Sequence, residues 1–343
     1  MPTAADIVKD PTWLPAAFDR GSGTIRFAKL PREALAGESF LDQRMAGAAT
    51  QWADLPSSAV TEAVAATGKP KPPAFIFHTS FCCSTLIARA LDAPGAVLAL
   101  KEPNILLDIA NAARADERWK HDAQAFARLV DAVIALLARP HPGETSVVIK
   151  PTNAANSLIH FAVGAGAPVL LLHGGLKDYL ISILKKGEEG RAFVRAQFNI
   201  FSHDGGGLSA IPQRQAMAFT DLQVAALVWR HQIEAFAATL STPKTCAASL
   251  DYRRLLDDPA EILKAAALHL ALALGDERIE RAARSDIFAK DAKFTDRDYD
   301  AATRGAEEAA FAERWKGELD LILNWAAGLN LGVAAKLPLS RSL

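Results

Sequence analysis

Five short apolar runs in this chain each end in residues able to bind an anion or move a proton. The first, Ala74–His78, leads into Thr79 and Ser80, then Cys82, Cys83, Ser84 and Thr85. The second is followed by Lys101 and Glu102, and the third ends in Lys150. The fourth ends in His173, and the fifth precedes Asp251. If the runs are parallel strands, all these residues crowd one edge of a sheet, where open α/β folds bind ligands. Two lysines, a glutamate and two histidines there would form a polar pocket for an anion. The segment after Cys83 reads as a helix. Its unpaired N–H groups and dipole would attract a phosphate or sulfate. Ser84 and Thr85 stand at its start, able to cap it and to donate from their hydroxyls.

The elements that must position these residues are legible as an alternation. Strands are expected at 74–78, 96–100, 146–150, 168–173 and 246–250. Helices are expected at 83–92, 104–114, 121–138, 154–164, 176–186 and 214–240. Apolar runs without alternation suit strands buried on both faces, and intervening helices imply a parallel sheet. From Pro259 to about Leu329 the chain reads as Ala- and Leu-rich helices. The fold class is therefore α/β, a central parallel sheet of about five strands with a helical C-terminal part. Residues 1–73 read as a turn-rich leader with one short strand at 24–30, closed by "GKPKPP", and 74–343 as the α/β domain.

Composition bounds the function. The chain has 343 residues, half of them hydrophobic, and a formal net charge of −1. That excludes a generally basic nucleic-acid or membrane-surface protein. No run approaches the roughly 18 apolar residues of a membrane span, and no secretory signal is seen. Cys82, Cys83 and Cys246 are too few for a disulfide framework, so a reducing, cytoplasmic location is expected. They and eight scattered histidines show no metal-ligand spacing, and no metal is predicted.

The opening stretch "FIFHTSFCCSTLIARAL" (75–91) resembles the 5′-phosphosulfate loop of bacterial sulfotransferases, roughly P-[RK]-S-G-T-T-x-L. Ser84 and Thr85 match the two hydroxyls. The proline, the cation and the glycine are absent, and Phe81 stands at the cation position. In "LALKEP", Glu102 lies 21 residues beyond Phe81, about where several members of the family carry a general base. "LLLHGGLKDYLIS" (170–182) is similar to the 3′-phosphate motif R-x-x-[KR]-D-x-x-x-S, with Lys177, Asp178 and Ser182 in register and Gly174 in the arginine's place. "SLDYRRLLDDPAEILKAAALHLAL" (249–272) resembles the late Y-E-x-L-x-x-D-P segment. "FAKDAKFTDRDYDAATR" (288–304) resembles the C-terminal loop, where Lys290 and Lys293 could close over a nucleotide. Lys150, in "VVIKPTN", resembles the lysine of the K-T-H motif, and Thr152 stands where that motif has histidine.

The resemblance, which spans roughly residues 74–304, implies a three-layer, P-loop NTPase-like sandwich. It also implies sulfuryl transfer from 3′-phosphoadenosine 5′-phosphosulfate (PAPS) to a hydroxyl or amine on a small-molecule or carbohydrate acceptor. Glu102 would be the base and Lys150 the electrostatic stabiliser. Lys101 is a further catalytic candidate, although an extended chain would point it away from Glu102. Ser80, Phe81, Cys82, Cys83, Ser84 and Thr85 would hold the phosphosulfate. Lys177, Ser182, Lys290 and Lys293 would hold the nucleotide's other groups. Two alternatives stay open. One is a catalytically inactive nucleotide- or partner-binding protein of this fold. The other is a cysteine phosphatase built on Cys83 and Arg89, spaced as C-x5-R.

Overall fold

The structure, a computed structural model, describes residues 2–68, 70–290, 300–329 and 337–343. Its centre is a five-stranded, all-parallel sheet: β4 (Ala74–His78), β5 (Val97–Lys101), β6 (Ser146–Lys150), β7 (Val169–His173) and β8 (Ala247–Asp251), in the order β5-β6-β4-β7-β8. The strands lie within one residue of the expected runs. They are buried almost throughout because helices cover both faces. Alternate residues divide between two cores. Phe75, Phe77, Leu100, Ile149 and Leu171 enter one, and Ile76, Ala99, Val148, Leu170 and Leu172 enter the other. The strand order reverses at β4, which puts a crevice at its carboxyl end.

The first core lies beneath the helices Asn104–Ala115, Ala123–Leu137 and Asp221–Ser241. The second lies beneath Ser84–Leu91, Pro259–His269 and Asp276–Ala283. The expected helix 214–240 is split into Gln213–Ala218 and Asp221–Ser241. Phe219 caps the end of the first piece and Thr220 starts the second: the Thr220 hydroxyl accepts from the Gln223 N–H, and the Gln223 side chain accepts from the Thr220 N–H. A helix at Gly187–Phe201 was not foreseen, because glycines at 187 and 190 argue against one. Gly190 is there for packing. A Cβ would lie 2.3 Å from the Ile183 carbonyl oxygen of the preceding helix, Leu176–Lys185.

Residues 13–56 correct the turn-rich reading. They form a three-stranded antiparallel sheet, β1 (Trp13–Asp19), β2 (Thr24–Lys29) and β3 (Gln51–Pro56), in that order. β1 carries a proline at a register shift and is buried along most of its length, so it lacks the period-two pattern of a half-exposed strand. Ile25 and Phe27 share the first core with Phe75 and Phe77. The chain beyond this sheet's helix Arg32–Gly37 is tied to the parallel sheet: Leu41 N–H donates to Lys101 O at 2.7 Å. That tie brings Phe40 and Arg44 to the crevice.

Lys101 corrects a sequence expectation. It is fully buried, and its ammonium donates to Ala36 O at 2.8 Å, so it does not line the crevice. Successive strand residues face opposite ways. Burial pushes Lys101 down to about 8, below the roughly 10.4 of an exposed lysine. Between those values the unfolded chain binds the proton better, so the folded state is penalised below about pH 8. It recovers ~3 kcal/mol by about pH 10.5. The buried Cys82 thiol, pushed up to about 12, acts oppositely above about pH 9, so a variant is needed to separate the two. In urea unfolding, the stability of wild type minus that of Lys101→Met is expected to rise by ~3 kcal/mol between pH 8 and 10.5. A flat difference would mean that Lys101 is not held in this desolvated setting.

Candidate active site

The turn after β4 is built on non-glycine residues in the left-handed region: Ser80 at φ 71°, Phe81 at 52° and Cys83 at 58°. Each costs on the order of 1–3 kcal/mol, and such strain persists only where surroundings hold it. Several contacts do so. The Phe81 ring packs against Tyr179 and Phe193, with centroids 5.6 and 5.2 Å away. The Cys82 thiol donates to Leu172 O at 3.4 Å. His78, 4 % exposed, accepts the Ser80 N–H on Nδ1 at 3.1 Å, while Nε2 stands 3.1 Å from Pro151 O. An Nδ1 that accepts carries no proton, so the ring is the neutral Nε2–H tautomer. The loop thus reaches without glycine the turns that glycine usually permits.

Cys83, not Ser84, is the N-cap of helix Ser84–Leu91, and its side chain caps nothing. Ser84 and Thr85 are the first two helical residues, 7 % and 3 % exposed. With no side-chain cap, the first-turn N–H groups keep their capacity for an anion. Thr85 Oγ1 accepts from Lys150 Nζ at 3.4 Å. Lys150, 1 % exposed, also donates to Glu102 Oε1 in a short, charge-assisted contact. Glu102 lies 3.9 Å from His78 Nε2. Glu102 too is left-handed, at φ 54°, fixed by its N–H donating to Lys150 O at 2.6 Å. Three strand ends and one helix start thereby meet at a single point.

The crevice has a volume of about 810 Å³. Ser80–Thr85 and Glu102 line it from the sheet side, and Ser182 lines it from helix Leu176–Lys185. Sequence reasoning missed Arg44, Lys185, Lys186 and Arg304, which also line it, with the carboxylates Glu189, Glu307 and Glu308. Lys186 Nζ lies 5.9 Å from the Phe81 ring centroid, so the Phe81 ring faces a cation at the junction of helices Leu176–Lys185 and Gly187–Phe201. A signal existed for this pair. Lys185 and Lys186 follow Ser182 by three and four residues, which is one face of a helix. Lys185 pairs with Glu307 at 2.7 Å, so the crevice has mixed charge.

Other predicted residues are placed elsewhere. Lys177 is exposed and does not line the crevice. Its neighbour Asp178 is held by Arg253, at 2.8 Å from Nε, which ties the "KDYLIS" segment to the "LDYRR" segment. Ser182 donates to Asp178 O at 2.9 Å. Lys290 lies 3.8 Å from Asp286 and away from the crevice, and Lys293 falls outside the described residues. His173 is buried beside Asp251 in register, where desolvation lowers its pKa, and it does not reach the crevice. Gly174 is dictated by packing: a Cβ would stand 2.7 Å from the buried Tyr252 ring.

The phosphatase reading does not survive the geometry. Its loop must wrap a phosphate between cysteine and arginine, yet helix begins at Ser84, one residue after Cys83. Arg89 does not line the crevice. Among the described residues no group of three or more His, Cys, Asp or Glu could hold a metal ion, and no helix is long and apolar enough to cross a membrane.

The site thus belongs to an α/β protein with a strained turn and a helix start without a side-chain cap after the central strand of a parallel sheet. No protein-family model matches the chain, and no curated protein matches it significantly. A solved structure described as "Sulfotransferase Domain from the Curacin Biosynthetic Pathway" superposes with a TM-score of 0.41 and 14 % identity, over 76 % of this chain and 99 % of that one. A likeness that remote decides neither family nor activity.

Proposed function

We propose that this protein transfers a sulfuryl group from PAPS to a hydroxyl or amine. The observation that carries the reading is the meeting of Glu102, buried Lys150 and Thr85 directly beside an uncapped helix start at the end of β4. Sulfuryl transfer needs an anion cradle, fixed positive charge near the leaving phosphate and a base for the acceptor proton, all pre-positioned. Backbone N–H groups of 81–85 with the Ser84 and Thr85 hydroxyls would form the cradle. Glu102, which reaches the crevice while Lys150 stays beneath it, would take the acceptor proton. Lys150 would hold Glu102 in place and add positive charge next to Thr85. PAPS would supply the sulfuryl group and a phosphate leaving group.

The residues present fit that donor in kind. The loop cation lost at Phe81 has a replacement in Lys186, and Arg44 and Arg304 provide further positive charge on the wall. A carbohydrate or other small acceptor is compatible with the crevice's volume.

Calorimetric titration with 3′,5′-bisphosphoadenosine tests the donor site. Wild type is expected to bind at micromolar concentrations. Lys186→Ala, an exposed position that leaves the core intact, is expected to weaken binding by about tenfold or more, the usual worth of a charge-assisted hydrogen bond. No binding by folded wild type would overturn the reading and favour a protein that keeps the fold without this donor.

A further inference from the structure

One wall of the crevice is a helix with little apolar anchorage. Helix Ala301–Arg314 supplies Thr303, Arg304, Glu307 and Glu308 to the lining. None of its described side chains is fully buried, and Phe311 and Ala312 are only partly covered by the first core. Ion pairs add to that hold. Glu307 Oε2 lies 2.7 Å from Lys185 Nζ, and Glu308 Oε2 lies 3.6 Å from Arg253 Nη2.

The two pairs differ in where their cations stand. Arg253 does not line the crevice, and it also holds Asp178 at 2.8 Å. Lys185 does line it, three residues after Ser182 on the same helix. Its neighbour Lys186 stands over the Phe81 ring of the turn after β4. The Lys185 and Glu307 side chains are 21 % and 46 % exposed, so their pair opens to the crevice and is not locked in the core.

An anion entering the crevice therefore meets an ammonium already claimed by a carboxylate. Exposed ion pairs are weak, and a multiply charged phosphate is a stronger acceptor for the same ammonium. The carboxylate also repels the anion while it stays in place.

We propose that Glu307 and the donor compete for Lys185, so that a phosphate binds by displacing the carboxylate and the Lys185–Glu307 pair sets donor affinity. This regulation of the site rests on the anion-binding part of the sulfuryl-transfer reading, not on the transfer itself. The exchange leaves the Lys185 ammonium paired before and after, and turns the Glu307 carboxylate to solvent. Phe311 and the Glu308–Arg253 pair keep helix Ala301–Arg314 attached meanwhile.

The test is calorimetric titration of the full chain, at low ionic strength, with 3′,5′-bisphosphoadenosine and with inorganic pyrophosphate. Glu307→Gln, at an exposed position, is expected to bind both anions at least about threefold more tightly than wild type. Lys185→Gln is expected to bind both more weakly. In the Lys185→Gln background, Glu307→Gln is expected to give a clearly smaller gain, because no ammonium remains to be released. Unchanged or weaker binding by Glu307→Gln would mean that the pair only fastens the helix. An equal gain in both backgrounds would mean that Glu307 acts by repulsion alone. Either result overturns the proposal. Pyrophosphate separates the proposal from the reading beneath it. If pyrophosphate follows the expected pattern while 3′,5′-bisphosphoadenosine binds no variant, the competition stands and the donor assignment falls. If neither anion binds any folded variant, both fall.

Discussion

Glu102→Gln is expected to reduce PAPS-dependent sulfuryl transfer about a thousandfold while 3′,5′-bisphosphoadenosine binds nearly as in wild type. A positioned base contributes roughly 10²–10⁴ in rate. Glutamine keeps the shape and an oxygen for Lys150 but cannot take a proton, so the loss falls on turnover rather than on donor affinity. Lys150→Met is expected to lose comparable activity for a different reason. It releases Glu102 from its contact and removes the only charge that reaches Thr85 in the described hydrogen bonds. Glu102→Ala carries a further cost that glutamine avoids. It strands an ammonium that is 1 % exposed, and breaking such a pair from one side typically costs 3–5 kcal/mol. Single-turnover assays on the glutamine variant, with nucleotide titrations alongside, separate the two roles. Unchanged turnover would remove Glu102 from the chemistry, and lost nucleotide binding would make it part of the cradle instead.

Gly174→Arg, which restores the arginine of the motif that "HGGLKDYLIS" resembles, is expected to destabilise the protein by ~3 kcal/mol and not to improve nucleotide binding. The side chain's first atom already fails to fit. An added Cβ would lie 2.7 and 2.9 Å from two carbons of the Tyr252 ring. Tyr252 is 2 % exposed within the second core, so the ring cannot swing away. Trp229 Nε1 meanwhile donates to Gly174 O at 2.9 Å, which pins the backbone. A double-mutant cycle checks the cause. Gly174→Ala should be costly in wild type and nearly neutral in a Tyr252→Ala background. Equal cost in both backgrounds would acquit Tyr252. Gly174 therefore belongs to a tightly packed contact between the end of β7 and the helix after β8. The charge an arginine would have carried is supplied, on this reading, by cations from other elements.

Much of this site was legible along the chain. The five strands are contiguous apolar runs, and the polar residues that end them had to fall at one edge once the strands were parallel. That reasoning covers the joining of Glu102, Lys150 and Thr85, because strand ends and a helix start are local features with a local cause. The left-handed turn at Glu102, φ 54°, and the course of Lys101 were not readable from the chain: only the structure shows Lys101 going to Ala36 O, in a helix more than sixty residues earlier.

What the sequence could not determine depends on contacts between distant segments. The antiparallel sheet of residues 13–56 was hidden because β1 is buried nearly along its length and carries a proline at its irregularity. With that sheet came Phe40 and Arg44, brought to the crevice by hydrogen bonds to the end of β5 and just beyond it. Lys186 faces Phe81 from the junction of two helices whose close approach a side chain at 190 would block. Gly174 looked like a lost cation until Tyr252, 78 residues later, proved to occupy its space. Periodicity is a property of neighbours in the chain. Which side chain fills a given volume is a property of the packed interior, and there tertiary structure alone decides.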